Sequence, residues 1–538
     1  MSGIRTTMIA KKRYVTLISN YTVALLYGIY LLLPLRSWIR WSNFTENPVP
    51  YFPYDDSFGY LMHIKNIIRN NGGFGNPYLY ENSSGSYDIP DSYILWVWTK
   101  IGMLFSLNPI QIYLVMTFIT GFVTYLVSLK ICKFVGFNNL HSHVVSFLIL
   151  FMSYPLTIAR PSPTSLCLWI LLLGILFLSR TVYDSYKYNI FKYLIVFCVM
   201  IFLNPIYALY LAALSFIYLV FFKTIRLYFL KSIIPVEILG LGLIFLTKRG
   251  ISEAEIETIK RLGSLKTHFP ASAKSSVAVL ILIGCILIIP KKSQMSRILM
   301  ANSVALLIAL NSQIISGVWW EFESHYKLIV NFILILTCAH LVTENLPKYQ
   351  TRVLTLLVLL MFGNFSMNSL MFYSSETKKY SILHEKNITL LDELSKKSHA
   401  NDVFLFSRRP PESNYPEIIF LLNEGFVYWH QGAGQWSLTD EEALNRYGCT
   451  LDYSDFNREI LAEDANKLYI HRFLNADGHF KKWHNLLNLF SLSNKYTSSQ
   501  EIQLRKDILF LQNNETIFCK KYKLDFVITK NSDLLPYN

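Results

Sequence analysis

The chain opens on a basic cluster, Lys11-Lys12-Arg13, and then runs apolar from Tyr14 to Leu35. Apolar stretches recur at Pro109–Lys130, Val144–Ile158, Thr164–Ser179, Ile190–Leu203, Ile206–Phe222, Leu227–Leu246, Val277–Ile289, Ile298–Leu310, Leu328–Val342 and Val353–Phe372. Runs of this length and apolarity predict a mainly α polytopic bundle of about eleven transmembrane helices, the shorter ones tilted or sheltered among the others. Beyond Tyr373 the pattern changes. Asp402–Ser407, Gly425–Trp429 and Leu524–Thr529 read as short buried strands, and Lys386–Lys397 and Thr439–Tyr447 as helices, which together predict a C-terminal α/β domain. The expected organisation is a membrane domain over 1–372 and a soluble domain over 373–538.

The loops alternate in charge. Lys130 and Lys133, Arg180, Lys187 and Lys192, Lys223, Arg226 and Lys231, Lys291, Lys292 and Arg297, and Lys348 and Arg352 fall on every second loop, in phase with the N-terminal cluster. Short cytoplasmic loops collect Lys and Arg. The N-terminus is therefore expected in the cytoplasm of a multi-pass inner-membrane protein, with the loops 36–108 and 247–276 and the C-terminal domain outside. Composition agrees: 52% hydrophobic and 16% charged residues with a mean hydropathy of +0.32 describe no soluble globule. The formal net charge of +14 is largely accounted for by the cytoplasmic rims, so nucleic acid is excluded as a partner and membrane lipids are expected instead. Of the seven cysteines only Cys449 and Cys519 fall on the oxidising side, where a disulfide between them is an open expectation. Glu237 interrupts an apolar run, and pairing with a neighbouring helix is favoured over lining a lipid groove.

The long first external loop carries the candidate chemistry. Asp55-Asp56 precedes Phe58, Leu61, Ile64 and Ile67-Ile68, an apolar stripe at helical spacing, and Asp91–Trp98 begins a second, aromatic-rich interfacial helix. Adjacent carboxylates at a bilayer surface can deprotonate a hydroxyl or hold a divalent cation such as Mg²⁺ or Mn²⁺; the plainer alternative is an N-cap, which stabilises a helix by about 1 kcal/mol and needs no chemistry. Arg160 is the sole cation of its short external loop and can clasp phosphate bidentately, or simply snorkel to the interface. The run Trp319 to Lys327, with Glu323, His325 and Lys327, is a second concentration of titratable groups, which reads equally as an interfacial anchor.

This arrangement resembles the GT-C glycosyltransferases: a first membrane helix, a long external loop with an acidic pair and two juxtamembrane helices, many further spans and a C-terminal external domain. Short patches add to the likeness: Ile158-Ala-Arg160-Pro-Ser-Pro163, Asn311-Ser-Gln313-Ile-Ile-Ser-Gly317 followed by His325-Tyr326, and Lys521-Tyr522-Lys-Leu-Asp525-Phe-Val-Ile528. The resemblance implies transfer of a sugar from a polyprenyl-phosphate carrier to a surface-glycan or lipid-linked acceptor on the external face. Asp56 would be the base, Asp55 its support or a metal ligand, and Arg160, His325, Lys327 and Glu323 the phosphate and substrate contacts. The rival expectation from another class is a non-catalytic lipid- or glycan-binding, transport or assembly component of a surface-polysaccharide pathway.

Overall fold

The structure is a computed structural model describing residues 2–32, 55–71, 73, 75–83, 93–152, 162–183, 186–247, 253–261, 265–266, 273–288, 293–316, 318–319, 322–345, 401–406, 425–429, 438–452, 518–528 and 534–536, with single positions or short runs from 348 to 399 and at 506 and 509. The chain is mainly helical. Its principal helices are α1 (Ser2–Leu32), α2 (Asp55–Arg69), α3 (Tyr93–Leu104), α4 (Pro109–Val135), α5 (Asn139–Met152), α6 (Pro163–Arg180) and α7 (Tyr186–Leu203). There follow α8 (Pro205–Phe221), α9 (Ile234–Thr247), α10 (Glu253–Arg261), α11 (Ala273–Ile288), α12 (Gln294–Leu310), α13 (Phe322–Asn345) and α14 (Asp440–Asp452).

Helix boundaries follow local chemistry. Asn108 caps α4 by accepting the Gln111 N–H at 2.9 Å while the Gln111 side chain accepts the Asn108 N–H at 3.0 Å; Pro109 takes the first turn, and Gly136 ends the helix at φ 104°. Ser162 and Asn204, ahead of Pro163 and Pro205, cap α6 and α8 by accepting the Ser165 and Tyr207 N–H groups. Among the described residues three helices, Pro109–Val135, Pro163–Arg180 and Leu328–Asn345, are long and apolar enough to cross a membrane, as expected of a membrane protein. A fourth span results if α8 and Lys223–Gly242 are taken together. The apolar pattern reads these as two spans, Ile206–Phe222 and Leu227–Leu246; a 3₁₀ turn at Lys223–Ile225 and a π turn at Phe229–Ile233 join the two segments with a bend of 106°. Val353–Phe372, expected as a further span, lies outside the described residues apart from isolated positions.

α1 packs along α4, where a Cβ on Gly121 would come within 2.3 Å of the Leu31 Cδ1, so a larger residue there would push the Leu31 side chain aside. On α7, Phe191, Ile195, Val199 and Phe202 stand exposed at helical spacing, as a lipid-facing side requires. Glu237 is buried and accepts hydrogen bonds from Tyr193 (2.6 Å) and Ser215 (2.5 Å), which joins α9 to α7 and α8 as the helix-pairing expectation had it.

Two small sheets complete the described fold. β1 (Leu265–Lys266) pairs antiparallel with β2 (Val318–Trp319). β3 (Val403–Phe406), β4 (Phe426–Val427), β5 (Phe526–Ile528) and β6 (Leu534–Pro536) form a sheet of order β4-β3-β5-β6, with β3 parallel to both neighbours and β6 antiparallel to β5. All four residues of β3 are buried, the continuous burial that a parallel strand covered on both faces shows. Cys449 on α14 and Cys519 are joined by a disulfide, Cα to Cα 5.0 Å, so the pairing open in the sequence is realised.

Candidate functional site

Asp55 and Asp56 are the first two residues of α2. The stripe behind them behaves as its spacing predicts: Phe58, Leu61, Ile64 and Ile67 are buried, and the helix packs on α3 and α4. His63, not singled out by the sequence, is also fully buried, and burial pushes its imidazole down to about 3, so the ring is neutral at physiological pH. It stands seven residues after Asp56, two helical turns along the same face. That in-phase spacing was the available signal.

The same side of α2 holds a compact loop, 75–83. The Asn66 amide donates to the Gly75 carbonyl at 3.1 Å and the Ser83 carbonyl at 3.2 Å, and Asn70 donates to Ser83 as well. Asn76 N–H bonds the Asn82 carbonyl at 2.8 Å, closing the loop on itself. A Cβ at Gly75 would fall 2.0 Å from the Ser83 carbonyl oxygen, so only glycine allows this closure.

The loop is in turn bound to the C-terminal sheet. Tyr78 offers its carbonyl to the Val427 N–H at 3.0 Å, extending the sheet past its edge strand β4. Arg446 of α14, fully buried, bonds Glu81 at 2.8 Å, Glu442 at 2.9 Å and the Tyr428 carbonyl at 3.2 Å, with its guanidinium 4.0 Å from the Tyr522 ring centre. Glu81 uses its second oxygen to accept the Lys523 N–H at 2.7 Å, and Asn82 donates to Glu442 at 3.1 Å. Around these, Arg69 lies 4.0 Å over Phe426 and donates to Asn401 at 2.9 Å, and Lys523 sits 4.6 Å over Tyr80. On the adjoining surface Lys521 lies 2.8 Å from the Glu441 carboxylate and holds its pKa below the usual range.

Other loops meet the same region. Thr258 of α10 contacts the Leu438 backbone at 3.3 Å, and Glu257 accepts the Asp440 N–H at 2.6 Å at the start of α14, where a carboxylate complements the helix dipole. β1 and β2 link that loop to the segment just before α13. Glu323, His325 and Lys327 occupy the first turns of α13; the neighbouring Tyr326 is buried, donating at 3.0 Å to the Ile206 carbonyl at the start of α8.

Arg160 lies outside the described residues, two positions before the Ser162 cap, and the side chains of Asp55, Asp56, Glu323, His325 and Lys327 lie outside them as well. What is placed is the backbone of the last five, at the starts of two helices. Among the described residues no group of three or more His, Cys, Asp and Glu is arranged to hold a metal ion. The Asp55-Asp56 pair has the hard oxygen donors that Mg²⁺ or Mn²⁺ takes, and needs phosphate or water oxygens to complete the shell. The sequence matches no family model and no curated protein.

Proposed function

We propose that the chain is an inverting membrane glycosyltransferase of the GT-C type, moving a sugar from a polyprenyl-phosphate carrier to a surface-glycan or lipid-linked acceptor on the external face of a bacterial inner membrane. The observation that carries this reading is the binding of the helix that begins at Asp55, through loop 75–83, to the C-terminal sheet, which ties an acid-bearing helix both to the apolar helices it packs on and to the C-terminal segment. The disulfide supports an oxidising, external location for the C-terminal segment. The contacts of loops 75–83 and 253–261 with that segment support a common side for all three. About eleven spans and a cytoplasmic N-terminus belong to the same proposal.

In this mechanism Asp56 accepts the acceptor's hydroxyl proton as the new glycosidic bond forms and the bond from the sugar to phosphate breaks, with polyprenyl phosphate leaving. A single displacement of this kind inverts the anomeric centre and requires one base and no protein nucleophile. Asp55 supports Asp56, and Arg160, His325 and Lys327 neutralise the charge that develops on the leaving phosphate, with Glu323 orienting substrate. A divalent cation held by Asp55 and Asp56 would supply further neutralisation of the same charge.

The test is release of polyprenyl phosphate from a panel of polyprenyl-phosphate sugars by protein in lipid nanodiscs. Asp56→Asn is expected to lower turnover by about 10²–10⁴-fold while donor binding persists. Wild-type protein that binds donor and never turns over would instead favour the binding or assembly role.

A further inference from the structure

We infer that Arg446 is a positioning residue, through which the C-terminal sheet holds loop 75–83 and, by way of that loop, the face of α2 that carries Asp56; the catalytic half of this inference rests on the transferase reading above. Two of the guanidinium's partners, Glu442 and the Tyr428 carbonyl, are supplied by the C-terminal segment itself. The third, Glu81, comes from 365 residues earlier in the chain. A cation that only completed the C-terminal core would have no need of it. Glu81 also ties its second oxygen to the Lys523 backbone, so one loop side chain spans α14 and the segment leading to β5. The disulfide keeps these two walls together: Cys449 follows Arg446 by three residues on α14, and Cys519 precedes Tyr522 by three, whose ring covers the guanidinium.

The coupling continues inward without a gap. Loop 75–83 is fixed to the sheet by Tyr78 and Val427, closed by Gly75 against Ser83, and bonded to α2 by Asn66 and Asn70. Gly59, one turn after Asp56, faces the Tyr78 hydroxyl, where an added Cβ would sit 3.4 Å away. A shift of the sheet relative to the bundle therefore displaces the acidic end of α2. Displacement of a reacting group by about 1 Å costs on the order of 10²-fold in rate.

The test uses the full chain in nanodiscs and reads hydrogen–deuterium exchange together with sugar transfer for wild type, Glu81→Ala, Glu81→Asp and Arg446→Met. Glu81→Ala removes only the loop's side of the contact, so it remains informative where Arg446→Met fails to fold. Expected for Glu81→Ala are exchange at 75–83 and at Val427 faster by an order of magnitude or more, unchanged exchange in Pro109–Val135, and a kcat lower by about 10- to 10²-fold with donor KM unaltered. Glu81→Asp should recover part of both. Unchanged exchange in Glu81→Ala and Arg446→Met overturns the holding role, and loosened exchange with unaltered kcat overturns its link to catalysis. Wild-type protein without turnover on any donor overturns the transferase reading instead, and exchange alone then decides whether Arg446 holds the loop.

Discussion

Two buried ionisable side chains solve opposite problems in this molecule. Glu237, inside the apolar bundle, meets two neutral hydroxyls, Tyr193 and Ser215, and, among the described residues, no cation. Arg446, at the docked face of the C-terminal sheet, meets two carboxylates, a carbonyl and an aromatic ring. In the bundle the chain satisfies a polar group with whatever hydroxyl an adjacent helix offers, because the packing already exists and the group must only be accommodated. At the docked face charge acts beside apolar packing: Tyr78 and Leu79 of the loop are buried in one cluster with Val427 and Trp429, Tyr80 packs edge-on to Phe426 at 5.4 Å, and the Glu81–Arg446 contact fixes the register of the two surfaces. Hydrogen bonding is what the first site needs, and a fixed cation is what the second needs.

The contrast is most exposed to failure at Arg446. Arg446→Met leaves Glu81 and Glu442 facing each other without a counter-charge and is expected to destabilise the docked segment by about 3–5 kcal/mol, read as lost protection of 75–83 and 438–452. Arg446→Lys should restore little, because a point charge cannot reach three acceptors in a fork. In the bundle the conservative change should succeed: Glu237→Leu costs about 1–3 kcal/mol by leaving the two hydroxyls only the Leu211 and Ala212 carbonyls, whereas Glu237→Gln accepts from one hydroxyl, donates to the other, and stays within about 1 kcal/mol in denaturation of the purified protein. A Gln variant as damaging as Leu would show that the bundle needs the charge after all.

Acid sharpens the comparison further. His63 titrates near 6.5 when unburied and at about 3 in the fold, so below 6.5 the unfolded chain binds the proton more readily. Its contribution is complete above pH 6.5 and is lost as pH falls toward 3, by at most about 1.4 kcal/mol per pH unit. Amide protection in α2 should follow that profile and lose the slope in His63→Leu; a flat wild-type profile would mean that the ring is solvated. At the other end of the scale, the exposed Lys521–Glu441 pair lies beside the docked face without entering it, and Lys521→Ala should alter stability by less than about 0.5 kcal/mol in the same assay.

Much of the helical framework was legible in the sequence, for reasons that are local. The Asn108-Pro109 start of α4, the apolar stripe of α2 and the buried run of β3 depend on spacing and capping within a few residues, so pattern alone locates them. The candidate site was legible only as backbone: the helix that begins at Asp55 is where its pattern put it. His63 was within reach through its register with Asp56, and Arg446 through its Glu442 neighbour one turn away on the same helix, but nothing local marks either as buried.

What the sequence determined by itself is the apolar helices among the described residues, their caps and the chemistry available on the loops, because each follows from side chains near one another in the chain. What only the tertiary structure decided is which distant groups meet: the 106° bend after α8, the Glu237 hydroxyl pair, the closure at Gly75, and the contact of Glu81 with Arg446 across 365 residues. Those pairings are selected by the need to satisfy buried charges and backbone polar groups once the elements pack, a condition that exists only in three dimensions.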